Sequence, residues 1–155
     1  MKPFALVASA LCLALAGCES VRDATSSVRE RLAARTAPHT RVFATESRVL
    51  YAATRSAITE MGYRFLRGGP AQGEIDAVSD LDTDNSLRTT RQISMKIRLV
   101  PVPDGTEVRV VLTEVVEDDF NKGAGRSTES PLHDTPQYEV LFRHIEQALA
   151  ALPKG

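Results

Sequence analysis

Two hydrophobic periods divide this chain. Between residues 91 and 117 the period is two. In RQISMKIRLV (91–100), Ile93, Met95, Ile97 and Leu99 alternate with Ser94, Lys96, Arg98 and Val100. In TEVRVVLTEVVE (106–117), Val108, Val110 and Leu112 continue one face. Successive side chains of a strand point to opposite faces, so the alternation predicts two strands with one face buried and one solvated. Pro103-Asp104-Gly105 between them supplies a hairpin turn. Val111 and Val115 fall on the solvated side. We expect the long loop that follows, or a partner, to cover part of that face.

Elsewhere the period is that of a helix. Leu50, Ala53, Thr54, Ala57, Ile58 and Met61 recur at three- and four-residue spacing, with Thr45 in the N-cap position, Glu46 in the first turn and Gly62 just past the end. This predicts a helix over 46–61. Near the C-terminus, Thr135 caps and Pro136 takes the first helical position. Tyr138, Leu141, Phe142, Ile145, Ala148, Leu149 and Leu152 form an unbroken stripe, and Pro153 stops it. Each large side chain buried along that stripe contributes ~1.5–3 kcal/mol before entropy costs.

Shorter signals complete the order. Residues 40–44 read as a first strand, 63–67 and 74–79 as a hairpin around GGPAQG (68–73), and 118–134 as a Gly/Ser-rich loop. That loop exceeds the usual ~12–15 residues of a structureless connection, which marks it as functional or disordered. The predicted order is (β)-α-β-β-β-β-α. Hairpins make the sheet antiparallel, and both helices need its apolar face. We therefore expect a two-layer α+β domain over residues 40–155, a four- to five-stranded antiparallel sheet packed against two helices.

The N-terminus carries a different message. Met1-Lys2 is a positive start, Phe4 to Ala16 is an apolar run of 13 residues, and Ala16-Gly17 lead into Cys18. As a helix that run spans ~20 Å, too short for a hydrocarbon core of ~30 Å. Leu15-Ala16-Gly17-Cys18 resembles the lipobox of bacterial lipoproteins at all four positions. Cys12 lacks the leucine in the right place. The resemblance implies removal of residues 1–17, diacylglyceryl attachment to the Cys18 thiol and acylation of the new amine. It also implies an envelope location, and Glu19 in place of aspartate leans towards the outer membrane, facing the periplasm. Acyl chains bind membranes at ~0.8 kcal/mol per buried CH₂, and two or more give stable anchoring. Residues 18–39 then form the lipidated cysteine and a tether. Val21, Ala24, Val28 and Leu32 fit a thin amphipathic helix, with Arg22, Arg29, Arg31 and Arg35 on anionic headgroups. A solvated linker fits equally.

The run from Thr40 to Val78 is also similar to segments of small proteobacterial lipoproteins. In these, a short strand leads to a helix ending in Gly-Tyr, here Gly62-Tyr63, and then to a glycine-containing hairpin. In pattern, residues 40–152 resemble the helix-grip domains of BamC, the lipoprotein of the outer-membrane β-barrel assembly machinery. BamC has two such domains and this chain has room for one. The resemblance implies a non-enzymatic envelope protein and transfers no functional residue.

Composition narrows the chemistry. An acylated Cys18 leaves the mature chain no thiol for a disulfide, a metal or a nucleophile. A formal net charge of −1 argues against nucleic acid, and the absence of Trp leaves few stacking platforms. The 15 Arg against 4 Lys are scattered, which fits codon bias better than a phosphate site. DLDTDN (80–85) spaces carboxylates as a calcium loop does, but the sixth and twelfth places hold Asn85 and Arg91 where glycine and glutamate are needed, so it reads as a solvated turn. His39, His133 and His144 lie far apart in sequence. His133-Asp134 shares its loop with Asp118 and Asp119, the one place where a metal or hydrolytic site has material to work with. His144 flanks the apolar stripe at the surface. No Gly-x-Ser-x-Gly, His-x-x-x-His or phosphate loop occurs. The expectation is no catalytic residue, no metal and no cofactor, and Cys18 as the one modified site. Two readings follow: a non-enzymatic interaction or assembly module docking on another envelope protein, or a carrier or sensor of an apolar ligand or lipid held between the last helix and the sheet.

Overall fold

The computed structural model describes residues 37–84, 89–118 and 126–152. The predicted signal, Cys18 and the tether up to residue 36 lie outside them, as do residues 119–125 of the long loop. The elements run β1 (His39–Phe43), α1 (Ser47–Glu60), β2 (Arg64–Gly69), β3 (Glu74–Val78), β4 (Asp82–Asp84), β5 (Thr89–Val102), β6 (Gly105–Asp118), β7 (Arg126–Pro131) and α2 (Gln137–Ala151). No described helix is long and apolar enough to cross a membrane.

The sheet is antiparallel, with the path β1-β6-β5-β3-β2. Those five strands are the ones the periodicity predicts. Two further strands extend it: β4 pairs β5 and β7 pairs β6. Both arise because the central hairpin is longer than its apolar alternation. Each of its strands has 14 residues, so their distal halves project past β3 and β1 with backbone groups still to be paired. β4 and β7 supply those partners.

One face of the sheet forms the core. Cross-strand rows Ala77–Met95–Leu112, Ile75–Ile97–Val110 and Leu99–Val108 lie in register, every side chain almost fully buried. Leu50, Ala57 and Ile58 of α1 and Leu141, Phe142 and Ile145 of α2 pack into the same cluster. The domain is thus a two-layer α+β fold, with both helices on one face of an antiparallel sheet. Met95 and Leu112 of the sheet and Leu141 and Ile145 of α2, each with 0% exposure, lie in this cluster.

The helix ends follow local chemistry. At the C-terminus of α1, Tyr63 N–H donates to the Ile58 carbonyl and Gly62 N–H to the Thr59 carbonyl, with Gly62 at φ +80°. This is the glycine-terminated cap that the sequence predicts. At the other end the predicted Thr45 cap does not form. Glu46 is the flanking residue and makes no side-chain cap bond. Thr45 is held in the turn leaving β1 instead, its N–H donating to the Phe43 carbonyl at 2.8 Å and its carbonyl accepting the buried Thr106 hydroxyl at 2.8 Å. At α2 Pro136 is the flanking residue, with helical φ and ψ, and the predicted Thr135 cap is reduced to a long contact, Gln137 N–H to the Thr135 hydroxyl at 3.4 Å.

β1 and β7 share one edge of β6, lying end to end. Pro131 faces Thr113 and His39 faces Val110. At the seam, Leu132 N–H donates to the Leu112 carbonyl at 2.9 Å. The Tyr138 hydroxyl, reaching in from α2, accepts the Leu112 N–H at 3.0 Å and donates to the Leu132 carbonyl at 2.8 Å. One side chain therefore joins α2 to β6 and to the residue that follows β7. Further along β1, Arg41 crosses to α2, where its guanidinium pairs with Glu139 at 2.7 Å and Glu146 at 3.2 Å and lies 4.5 Å from the Phe142 ring centre. At the opposite border of the sheet, β2 carries Arg64, Arg67 and a register break at the exposed Leu66. A charged and bulged edge discourages pairing with a second chain.

Candidate docking face

The helices cover one face of the sheet, and among the described residues nothing is layered on the other. Its side chains are those of opposite parity on the same strands. One row runs Thr40–Arg109–Arg98–Glu74 from β1 to β3, and the next brings Val111, Lys96 and Asp76 into line. A third sets Val42 and Val100 on either side of Glu107. Val111 and Val115 stand on this face, as the alternation predicts, and both are half-buried. Of the long loop expected to cover part of this face, residues 119–125 lie outside the described residues. Residues 126–131 join the sheet as β7, with Glu129 beside Val115, and so widen this face at its edge. They form a strand because the projecting half of β6 offers a free row of backbone donors and acceptors.

Charge on this face is organised in pairs. Arg67 Nε donates to Asp76 Oδ2 at 2.6 Å, Arg109 Nε donates to Glu107 Oε2 at 2.6 Å, and Arg98 pairs with Glu74. The hydrogen bond to Asp76 pushes the Arg67 guanidinium still higher than its ordinary value. Lys96 makes no ion pair among the described residues and stands exposed near the middle of the face. Arg98 and Arg109 are directly opposite each other across β5 and β6, an unfavourable arrangement for two like charges that the flanking Glu74 and Glu107 offset. A shallow recess of about 360 Å³ opens here, lined by Pro38, Arg67, Asp76, Lys96, Arg109 and Val111. Apolar Val42, Val100, Val111 and Val115 interleaved with fixed charges of both signs give a surface suited to recognition. Each carboxylate in the recess already has a cation, so none is placed as a free base or nucleophile.

The other residues that the sequence singles out fall as follows. Asp118 faces Arg126 at one end of β7, whereas His133 lies beyond Pro131 at the other. The pairing of β7 therefore separates the acidic end of the loop from His133-Asp134, and a shared site there does not form. Asp119 lies outside the described residues. Asp82 to Asp84 form β4 against β5, which removes the turn read at 80–85. His144 Nδ1 sits 3.3 Å from Glu60 Oε2 and links the two helices. Among the described residues no group of three or more His, Cys, Asp or Glu is placed to hold a metal ion. One juxtaposition is not foreshadowed in the sequence: the rings of His39 and His133 meet at the seam between β1 and β7. A comparison with known protein families and with curated proteins finds no match for this chain.

Proposed function

We propose that this protein is a lipid-anchored envelope protein that works without catalysis, as an interaction or assembly module docking on another envelope protein. The observation that carries this reading is the uncovered sheet face, where half-buried valines alternate with fixed ion pairs and the exposed Lys96. Val42, 52% exposed, and Val100 flank Glu107 on the same open face and add apolar surface to it. The lipobox at Leu15–Cys18 supports an acyl anchor on Cys18, and Glu19 supports the outer membrane with the domain in the periplasm. The order β-α-β-β-β-β-α through the predicted elements is similar to helix-grip domains of envelope assembly lipoproteins. Its near-neutral charge gives it little attraction for nucleic acid.

The anchor is tested by growing cells with labelled palmitate and fractionating them. The native chain is expected to carry label and to sediment with membranes, released only by detergent. Cys18→Ala is expected to lose the label. Label of undiminished intensity on Cys18→Ala contradicts the anchor.

A further inference from the structure

We propose that His39 and His133 form a chelating pair for a divalent transition-metal ion, Zn²⁺ or Cu²⁺, at the seam where β7 ends and β1 begins. The two rings lie with centres 5.0 Å apart and planes inclined by 63°. Two imidazoles that share one tetrahedral ion, each nitrogen ~2.0–2.1 Å from the metal, place their ring centres at ~5 Å, so the separation of this pair matches that of a liganding one. His39 Nε2 is buried and has no hydrogen-bond partner among the described residues. A buried imidazole nitrogen without a partner is costly to keep, and a metal ion is one of the few groups that would employ its lone pair.

The surroundings hold both rings for the task. The His39 ring is stacked on the Tyr138 ring, 3.7 Å between centres and 13° from parallel. Tyr138 is itself fixed by hydrogen bonds to Leu112 and Leu132. His133 Nδ1 faces Asp134 Oδ1 at 3.2 Å. A carboxylate on one ring nitrogen fixes the tautomer and leaves Nε2 free to bind metal, an arrangement that recurs behind metal-ligating histidines. With 39% of its side chain exposed, His133 leaves the seam open to water on that side. Water completes the coordination, because the described residues offer two imidazoles and no third protein ligand. Imidazole nitrogens select Zn²⁺ and Cu²⁺ over Mg²⁺ and Ca²⁺, which prefer oxygen. A bound ion would clip β1 to the end of β7 and stabilise the edge of the sheet through mass action.

The test is thermal melting and calorimetric titration of the full chain in detergent at pH 7.5, with Cys12→Ser and Cys18→Ser so that no thiol competes. Addition of Zn²⁺ is expected to raise Tm by about 5–10 °C when it greatly exceeds its Kd, with one ion bound per chain. Mg²⁺ is expected to leave Tm unchanged. His39→Ala and His133→Ala should each abolish the Zn²⁺ shift, and His144→Ala should keep it. If His39→Ala fails to fold, the more exposed His133→Ala decides the matter alone. An absent shift in the parent chain overturns the proposal, and so does a full shift that survives in His133→Ala.

Discussion

Gly105→Ala is expected to destabilise the domain by about 3–5 kcal/mol, enough to unfold much of a marginally stable protein at 37 °C. Gly105 opens β6 at φ +138°, a backbone region that L side chains rarely adopt. An added Cβ would lie 2.1 Å from the Phe43 carbonyl oxygen and 2.9 Å from Ala44 Cα. Both obstacles are backbone at the end of β1, so relief requires β1 to move away from β6. That motion would break the Phe43–Thr106 pairing and the contact between the Thr106 hydroxyl and Thr45. Gly62→Ala is the matched control. It also stands at positive φ, +80°, but its Cβ would meet nothing within 4 Å. Strain alone then costs about 1–2 kcal/mol. Urea denaturation of the two variants should separate them by a clear difference in midpoint. Equal midpoints would show that the close approach of β1 to the hairpin turn is not a constraint.

Tyr138→Phe is expected to cost about 2–4 kcal/mol, although it removes a single oxygen. The hydroxyl is the partner of the Leu112 N–H and the Leu132 carbonyl at the seam, and phenylalanine leaves both without it. The same group predicts a pH response. Burial pushes the Tyr138 hydroxyl up from its ordinary value of 10.0, against a smaller opposing effect of the Leu112 N–H. Burial also raises Tyr63, whose hydroxyl donates to Gln137 Oε1 at 2.8 Å. The folded protein holds these two protons more tightly than the unfolded chain. Their contribution is therefore fully present below pH ~10 and is lost as pH rises through the raised folded values. Unfolding free energy measured from pH 8 to 11.5 should fall above pH ~10, and the double variant Tyr63→Phe/Tyr138→Phe should lose most of that slope. A slope unchanged in the double variant would assign alkaline unfolding to other groups.

Much of this architecture is legible in the sequence because a single rule governs it. Ile93 to Leu99 and Val108 to Leu112 alternate with period two, and the stripes of α1 and α2 repeat with helical spacing. Each pattern reports directly which face is buried. Val111 and Val115 belong to the same logic, since apolar residues on the wet parity mark the open face. β4 and β7 escape it. DTD and RSTESP have the composition of turns, and they become strands only because the hairpin beside them is long enough to demand partners. The Thr45 cap fails for a related reason: its N–H and carbonyl are claimed by the turn out of β1 and by Thr106, a contact no local pattern encodes. The meeting of His39 and His133 is beyond sequence reasoning as well. It depends on β1 and β7 sharing one edge of β6, a fact of topology. Of the candidate site, the sequence reveals the valines and the charges but not their pairing. Arg98 and Arg109 become neighbours through the register of β5 on β6.

The central claim is that the uncovered sheet face is where this domain meets its partner. Its most direct test is site-specific photo-crosslinking in intact cells, with a photoreactive amino acid replacing Lys96 or Val111 on that face, or Arg48 or Arg143 on the solvent side of the helices. The account predicts one discrete, higher-mass adduct from positions 96 and 111 after irradiation and none from 48 and 143. Adducts from the helix positions alone, or the same adducts from all four, would contradict it.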